Sequence, residues 1–273
     1  MNATASAPLT HRIGGEGPPV VLLNGGMMTF PSWEPVASPL RERYRVLGFD
    51  FRGQLLSPGT PPADLAGHAG DVLGLLDAVG WESAHFVGVS FGAEVAIALA
   101  AAAPGRARSL VLLTAMDRET PQFRRGSDAM RAILADVRAG GDRNRFYDAL
   151  VEDVYSSAHL AAEAAAFEAR RAQVVGLPAG WFEGVDGLLA SLEGFDLREA
   201  LGAVRVPALV VTAGDDRVMA PERSRALAQA LGAETAHHPS AGHGLVAEDP
   251  AWVAAVVLEF LARQESLRMT AAD

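Results

Sequence analysis

Short unbroken apolar runs, each stopped by turn residues, set the strongest limit on how this chain can fold. Val20-Val21-Leu22-Leu23 ends in Asn24-Gly25-Gly26, and Tyr44 to Phe49 ends at Asp50. Ala84-His85-Phe86-Val87 leads into Gly88, Ser109 to Leu113 forms a fourth run, and Ala208 to Thr212 follows Pro207. Glu234 to His238 supplies a candidate sixth. Runs without apolar–polar alternation predict strands buried on both faces, hence a mostly parallel sheet. Helical periodicity lies between them. Asp64 to Val79 places Leu65, Val72, Leu73 and Leu76 on one stripe, with Gly80 as a stop. Pro221 to Leu231 opens on proline and ends before Gly232, and Ala251 to Leu261 follows Asp249-Pro250. Alternation of this kind predicts an α/β, doubly wound domain, which binds ligands at the carboxyl ends of its strands.

Residues 117–203 break the rhythm. Met130 to Ala139, Arg145 to Tyr155, His159 to Val174 and Trp181 to Leu192 carry helical periodicity, and no strand pattern separates them. The expected organisation is therefore a core in two parts, 1–116 and 204–273, with a helical insertion at 117–203 between the fourth and fifth of these strands. The tail from Ser266 to Asp273 is expected to fray.

Composition narrows the function. The chain has 273 residues, of which 49% are hydrophobic and 21% charged, which suits one sizeable core. A net charge of -10 with no Lys/Arg cluster argues against nucleic acid as a partner. With no cysteine, disulfides, thiolate metal sites and cysteine nucleophiles are excluded. Met1 to Pro8 has neither a basic nor an apolar segment of the signal-peptide kind, and the longest apolar run, Val95 to Ala103, is too short to span a bilayer. A cytoplasmic protein without membrane attachment is the expectation; homo-oligomerisation stays open.

Gly88-Val89-Ser90-Phe91-Gly92 is the motif that carries chemistry. It fits G-x-S-x-G, with a buried strand before it and the helix formers Ala93 to Ala100 after it. At such a turn the serine is held in a strained conformation with its hydroxyl off the sheet edge. The glycines let strand and helix approach, and the helix start points its unpaired N–H groups at the same place. The bland alternative is a Gly-Ser loop that only packs a helix on a sheet.

A serine needs a base, and the base needs an orienting carboxylate. Of seven histidines, His243 lies in the small-residue loop Ser240-Ala241-Gly242-His243-Gly244, after the last strand and level with Ser90. His237 and His238 lie in that strand, and His11, His68, His85 and His159 lie off the expected active edge. The acid is expected after the fifth of these strands, in Gly214-Asp215-Asp216-Arg217. Asp216 fits better than Asp215, because it leads directly into the next helix. An oxyanion hole would take one N–H from Phe91 and a second from Gly26 or Met27 in the loop after Leu23.

With these residues the chain resembles the α/β-hydrolase superfamily, in particular its capped serine esterase and lactonase branch. The resemblance spans about Leu9 to Leu261 and rests on Leu22 to Gly26, Asp50 to Gln54, Gly88 to Gly92, Gly214 to Arg217 and Gly242-His243. The order Ser90, Asp216, His243 is that superfamily's order. Two departures are visible: Asn24 stands where the family commonly has histidine, and Leu55 replaces the second glycine of the D-x-R-G-x-G-x-S loop. The resemblance implies an α/β-hydrolase fold with residues 117–203 as cap. It also implies no cofactor. With no cysteine and no H-x-x-x-H or similar clustering, no metal site is expected. The aromatics and methionines of the insertion suggest a small ester or lactone substrate with apolar bulk, cleaved through an acyl-enzyme. C–C bond hydrolase, thioesterase, acyltransferase and perhydrolase chemistry use similar triads, and a ligand receptor on this fold is the non-enzymatic alternative.

Overall fold

In the computed structural model, which describes residues 9–272, all six apolar runs become strands. In chain order the strands are β1 (His11–Gly14), β2 (Pro19–Leu23), β3 (Arg45–Phe49), β4 (Ala84–Val89), β5 (Ala107–Leu113), β6 (Ala208–Ala213) and β7 (Glu234–His238). They form one sheet in the order β1-β3-β2-β4-β5-β6-β7. Every neighbouring pair is parallel except β1 with β3. Strand β1 has no counterpart in the sequence reading. It is a four-residue, largely exposed edge strand, and its His-Arg-Ile-Gly shows neither an apolar run nor clear alternation.

Successive residues on a strand point to opposite faces, and the core divides accordingly. Val21, Leu23, Phe86, Leu110, Leu112 and Val210 pack into one apolar cluster, while Val20, Leu22, Val87, Val111, Leu209 and Val211 pack into the other. Helices α1 (Glu34–Leu40), α2 (Leu65–Ala78) and α3 (Phe91–Ala102) follow β2, β3 and β4 in turn. Helices α2 and α3 cover the first face, through residues such as Val72, Leu76, Ile97 and Leu99. The second face is covered by α1 through Val36 and Leu40, and by the C-terminal helix through Val253, Val257 and Phe260.

Between β5 and β6 run α4 (Pro121–Arg138), α5 (Arg143–Val154), α6 (Ser157–Ala162), α7 (Ala164–Val175), α8 (Ala179–Ala190) and α9 (Arg198–Leu201). Helix α4 begins nine residues before the expected Met130. Thr120 caps it, accepting from the Phe123 N–H at 3.1 Å, and Pro121 follows at the first helical position. The single helix expected over 159–174 is two, separated at Glu163, with Ser156 capping the first. At the base of the insertion the chain pairs with itself. The Glu119 N–H bonds the Phe195 carbonyl at 2.9 Å and the Leu197 N–H bonds the Asp117 carbonyl at 2.8 Å, with Arg118 opposite Asp196.

After β6 come α10 (Pro221–Leu231), then β7, α11 (Leu245–Glu248) and α12 (Pro250–Ala272). The expected fraying from Ser266 is corrected: α12 stays helical to Ala272. Thr270 Oγ1 donates back to the Leu267 carbonyl at 3.0 Å and to the Ser266 carbonyl at 3.2 Å, in keeping with the helix. The N-terminal reading, Met1 to Pro8, lies outside the described residues. No helix among the described residues is long and apolar enough to cross a membrane.

Helix α3 packs closely on the sheet. A Cβ on Gly92 would lie 2.6 Å from the Asn24 carbonyl oxygen, and one on Gly88 would lie 2.5 Å from the carbonyl oxygen of Gly92. By contrast, a Cβ on Gly70 in α2 would meet nothing within 4 Å. Gly92→Ala should therefore destabilise the fold by about 2 kcal/mol or more, whereas Gly70→Ala should stabilise it by about 0.5–1 kcal/mol through helix propensity. Urea unfolding of the two variants checks both signs.

Candidate active site

The turn from β4 into α3 places Ser90 at φ 53, ψ -126. A non-glycine residue at positive φ is strained and needs surroundings that hold it there. Those surroundings are visible: the Ser90 N–H bonds the Leu113 carbonyl at 2.9 Å, and the Ser90 carbonyl accepts from the Ala93 N–H at 2.7 Å. Ser90 remains partly exposed although both flanks are buried. Thr114, at the end of the adjacent β5, is the other non-glycine residue at positive φ among the described residues, at 48°.

The sheet brings the loops after β6 and β7 together at the same edge. His243 Nδ1 and the Asp216 Oδ2 carboxylate oxygen are 2.9 Å apart. The other oxygen, Oδ1, accepts from the N–H groups of Val218 at 2.9 Å and Met219 at 2.8 Å. With both oxygens engaged, the carboxylate cannot rotate away from the ring. Asp215 does something different. Its carboxylate is 45% exposed, lies 4.0 Å from Arg217 and accepts from the Ser157 N–H at 3.4 Å. Among the described residues the Ser90 hydroxyl makes no direct hydrogen bond to His243, so the structure forms the acid–imidazole couple without the serine–imidazole bond. Such bonds are often long in unliganded sites.

The Phe91 N–H is the first of α3 and, like every helix start, has no partner within its helix. In the loop after β2, Gln54 Nε2 donates to the Gly25 carbonyl at 2.8 Å and, at 3.4 Å, to that of Gly26. The Met28 N–H closes a turn onto the same Gly25 carbonyl at 3.1 Å. Among the described residues the N–H groups of Gly26 and Met27 carry no hydrogen bond, and both residues are partly exposed.

Asn24 is fully buried and links this loop to its neighbours. Its Nδ2 donates to the Phe49 carbonyl, to Asp50 Oδ1 and to Gln54 Oε1, at 2.9, 3.1 and 2.8 Å, and its Oδ1 accepts from Trp33 Nε1 at 3.0 Å. Asp50 also accepts from the N–H groups of Phe30 at 2.6 Å and Leu56 at 2.8 Å. Burial pushes the Asp50 carboxyl up, and these donors pull it back down. Arg52 pairs with Asp71 at 2.6 Å.

The remaining histidines lie elsewhere. His237 meets Thr212 Oγ1, and His238 accepts from the Ala241 N–H through Nδ1, which shapes the loop leading to His243. His85 bridges Ser109 and Glu265, and His68 sits edge-on against Phe91. Burial drives both down to about 4. His11 bonds the Leu9 carbonyl, and His159 stacks on Tyr155.

A family model for the alpha/beta hydrolase fold matches residues 18–250. The chain belongs to the α/β-hydrolase-fold family. The protein named "Putative carbamate hydrolase RutD" from Caulobacter sp. (strain K31) is 32% identical over 241 residues, 87% of either chain. The protein of the same name from Variovorax paradoxus (strain S110) is 33% identical over 265 residues, 94% of this chain and 97% of that one. Among solved structures, the enol-lactonase from Burkholderia xenovorans LB400 superposes with a TM-score of 0.81 at 27% identity, covering 93% of this chain and 96% of that one.

One feature of this α/β hydrolase escaped the sequence reading. Glu94, one turn into α3, is fully buried. Its Oε1 accepts from the Met116 N–H at 3.0 Å, and among the described residues its Oε2 has no partner. Burial, helped by the nearby Asp216 charge, raises its pKa from 4.5 to about 8. The signal was available, because Glu94 is the one charged residue in an otherwise apolar helix of alanine, valine, isoleucine and leucine.

Two predictions follow from this geometry. Asp216→Asn should lower turnover about 10³–10⁴-fold, as loss of a histidine-orienting acid does. Asp215→Asn should stay within about tenfold, since a partly exposed pair contributes little. Steady-state kinetics on both variants gives the ranking. Glu94 should make stability depend on pH. As pH rises from 4.5 towards 8 the unfolded chain ionises this group while the folded protein keeps it neutral. Stability therefore falls across that window, by up to ~1.4 kcal/mol per pH unit. Glu94→Gln should remove this slope, measurable as urea midpoints between pH 5 and pH 8.

Proposed function

We propose that the protein is a serine hydrolase that cleaves a carboxylic ester or lactone by acyl transfer through Ser90. One observation carries the reading: the strained Ser90 turn and the Asp216–His243 couple are delivered to one edge of the sheet by three separate strands. Ser90 Oγ attacks the substrate carbonyl while His243 Nε2 takes its proton. Asp216, bonded to Nδ1, fixes the tautomer and stabilises the imidazolium. The negative charge formed on the carbonyl oxygen meets the N–H of Phe91 and that of Gly26 or Met27. Collapse expels the alcohol oxygen, which takes the proton from His243. Water, deprotonated by the same ring, then releases the acid from Ser90.

The inserted helices act as the cap in this reading. Met27 and Leu55 pack against Met130, Leu134, Phe146, Trp181 and Phe182, which supports an apolar wall beside the oxyanion loop and a substrate with apolar bulk. A carbamate is the second reading. Its carbonyl takes the same attack, and it is favoured by the name of the relatives at 32% and 33% identity. The enol-lactonase likeness favours the first.

The test is a panel of chromogenic esters of graded acyl length, lactones and aryl carbamates, each run against the wild type and Ser90→Ala. Ester or lactone turnover lost by at least ~10³-fold in Ser90→Ala is the expected outcome. Turnover confined to carbamates moves the protein to the second reading. Turnover that survives in Ser90→Ala removes the mechanism.

A further inference from the structure

His243 is held by the sheet through its side chain and by the inserted helices through its backbone. The N–H on its C-terminal side, that of Gly244, bonds the Val154 carbonyl at the end of α5, at 2.7 Å. On its N-terminal side, the Gly242 N–H bonds Glu248 Oε1 at 3.0 Å. The same oxygen accepts the Ser156 N–H at 2.8 Å, and Glu248 Oε2 accepts the Ser156 hydroxyl at 2.6 Å. One carboxylate thus joins the histidine loop to the segment between α5 and α6. Ser156 Oγ in turn accepts the His159 N–H at 3.2 Å and caps α6. The acid loop meets the same segment, with Arg217 Nη2 donating to the Tyr155 carbonyl at 2.6 Å. The fit leaves no slack: a Cβ on Gly242 would lie 2.6 Å from the Ser156 nitrogen.

We propose that Glu248 is a positioning residue whose carboxylate fastens the inserted helices to the His243 loop, so that docking of the insertion sets where the imidazole points. The proposal rests on the reading of Ser90 and His243 as nucleophile and base. Asp216 fixes one end of the ring, and the loop backbone fixes the position from which the ring departs. Rotation of the Gly242 and Gly244 peptides would carry Nε2 away from Ser90 while Nδ1 stayed near Asp216. A group that only held the insertion closed would affect large substrates. A group that positions the base also affects a reagent too small to need the insertion.

The experiment measures the rate at which phenylmethanesulfonyl fluoride modifies Ser90 in the full chain, followed by intact mass and peptide mapping across pH. Glu248→Ala should slow modification at least ~10-fold, because small displacements of a catalytic group are costly. The midpoint of the pH profile should stay where it is, since the ring is displaced and its partner Asp216 is kept. Glu248→Gln retains an acceptor for both backbone N–H groups and should recover to within ~3-fold of wild type, because the neutral amide oxygen still accepts. Glu248→Asp is one methylene too short to serve both loops; it should resemble Glu248→Ala and decides the matter if that variant does not fold. Modification at the wild-type rate in Glu248→Ala or Glu248→Asp, with only KM raised for large esters, overturns the positioning role. Equal slowing in Glu248→Gln also overturns it. A wild type that the reagent does not modify at Ser90 overturns the hydrolase reading itself, and this proposal with it.

Discussion

The close approach of α3 to the sheet is the constraint on which the site depends. Gly92 lets the first turn of the helix lie against the backbone of Leu23 and Asn24, and Gly88 lets the strand turn beneath it. A side chain at either position would push the helix outward. Ser90 would then lose its positive φ, and the Phe91 N–H would point away from the loop after β2. The oxyanion donors proposed above come from two segments far apart in sequence, so they face one place only while those segments touch. The glycines of the motif thus serve the fold and the chemistry by the same contact.

The loops around that contact are held by a polar cluster. Asn24 meets Asp50, Gln54, the Phe49 carbonyl and Trp33, and Gln54 passes the constraint on to the Gly25 carbonyl. Buried amides satisfied on every side hold a backbone more rigidly than apolar packing does. A side chain that donates to three acceptors and accepts from an indole does the bracing without an ionisable ring. Leu55, next to Gln54, packs on the apolar cluster of the inserted helices.

Much of this was legible in the sequence, for identifiable reasons. The parallel strands are buried on both faces and read as unbroken apolar runs, whereas β1 is exposed, short and polar and gave no such signal. Asp216 and His243 are singled out by their loops, and the structure brings their side chains to 2.9 Å because strand ends in this topology converge on one edge. Thr120-Pro121 marks the start of α4, but arginines and Gly126 dilute the periodicity of its first turns. Glu248 could not have been found from local pattern. Its partner Ser156 lies 92 residues away, and only the folded chain brings Ser156 to Gly242. The same holds for Gln54, whose role is defined by Asn24 and Gly25 across two loops.

The paired segments at Asp117–Glu119 and Phe195–Leu197 mean that the chain leaves and rejoins the core at nearly one point. Whatever lies beyond that point can change in length, helix number or lining without altering the register of β5 against β6. Beyond the stem the insertion meets the core at further points, such as Val154 with Gly244 and Ser156 with Glu248. On the reading proposed above, such an arrangement separates the inheritance of reactivity from that of selectivity: the inserted helices can be replaced while the Ser90 turn is retained, provided the replacement again offers a carbonyl to Gly244 and donors to Glu248.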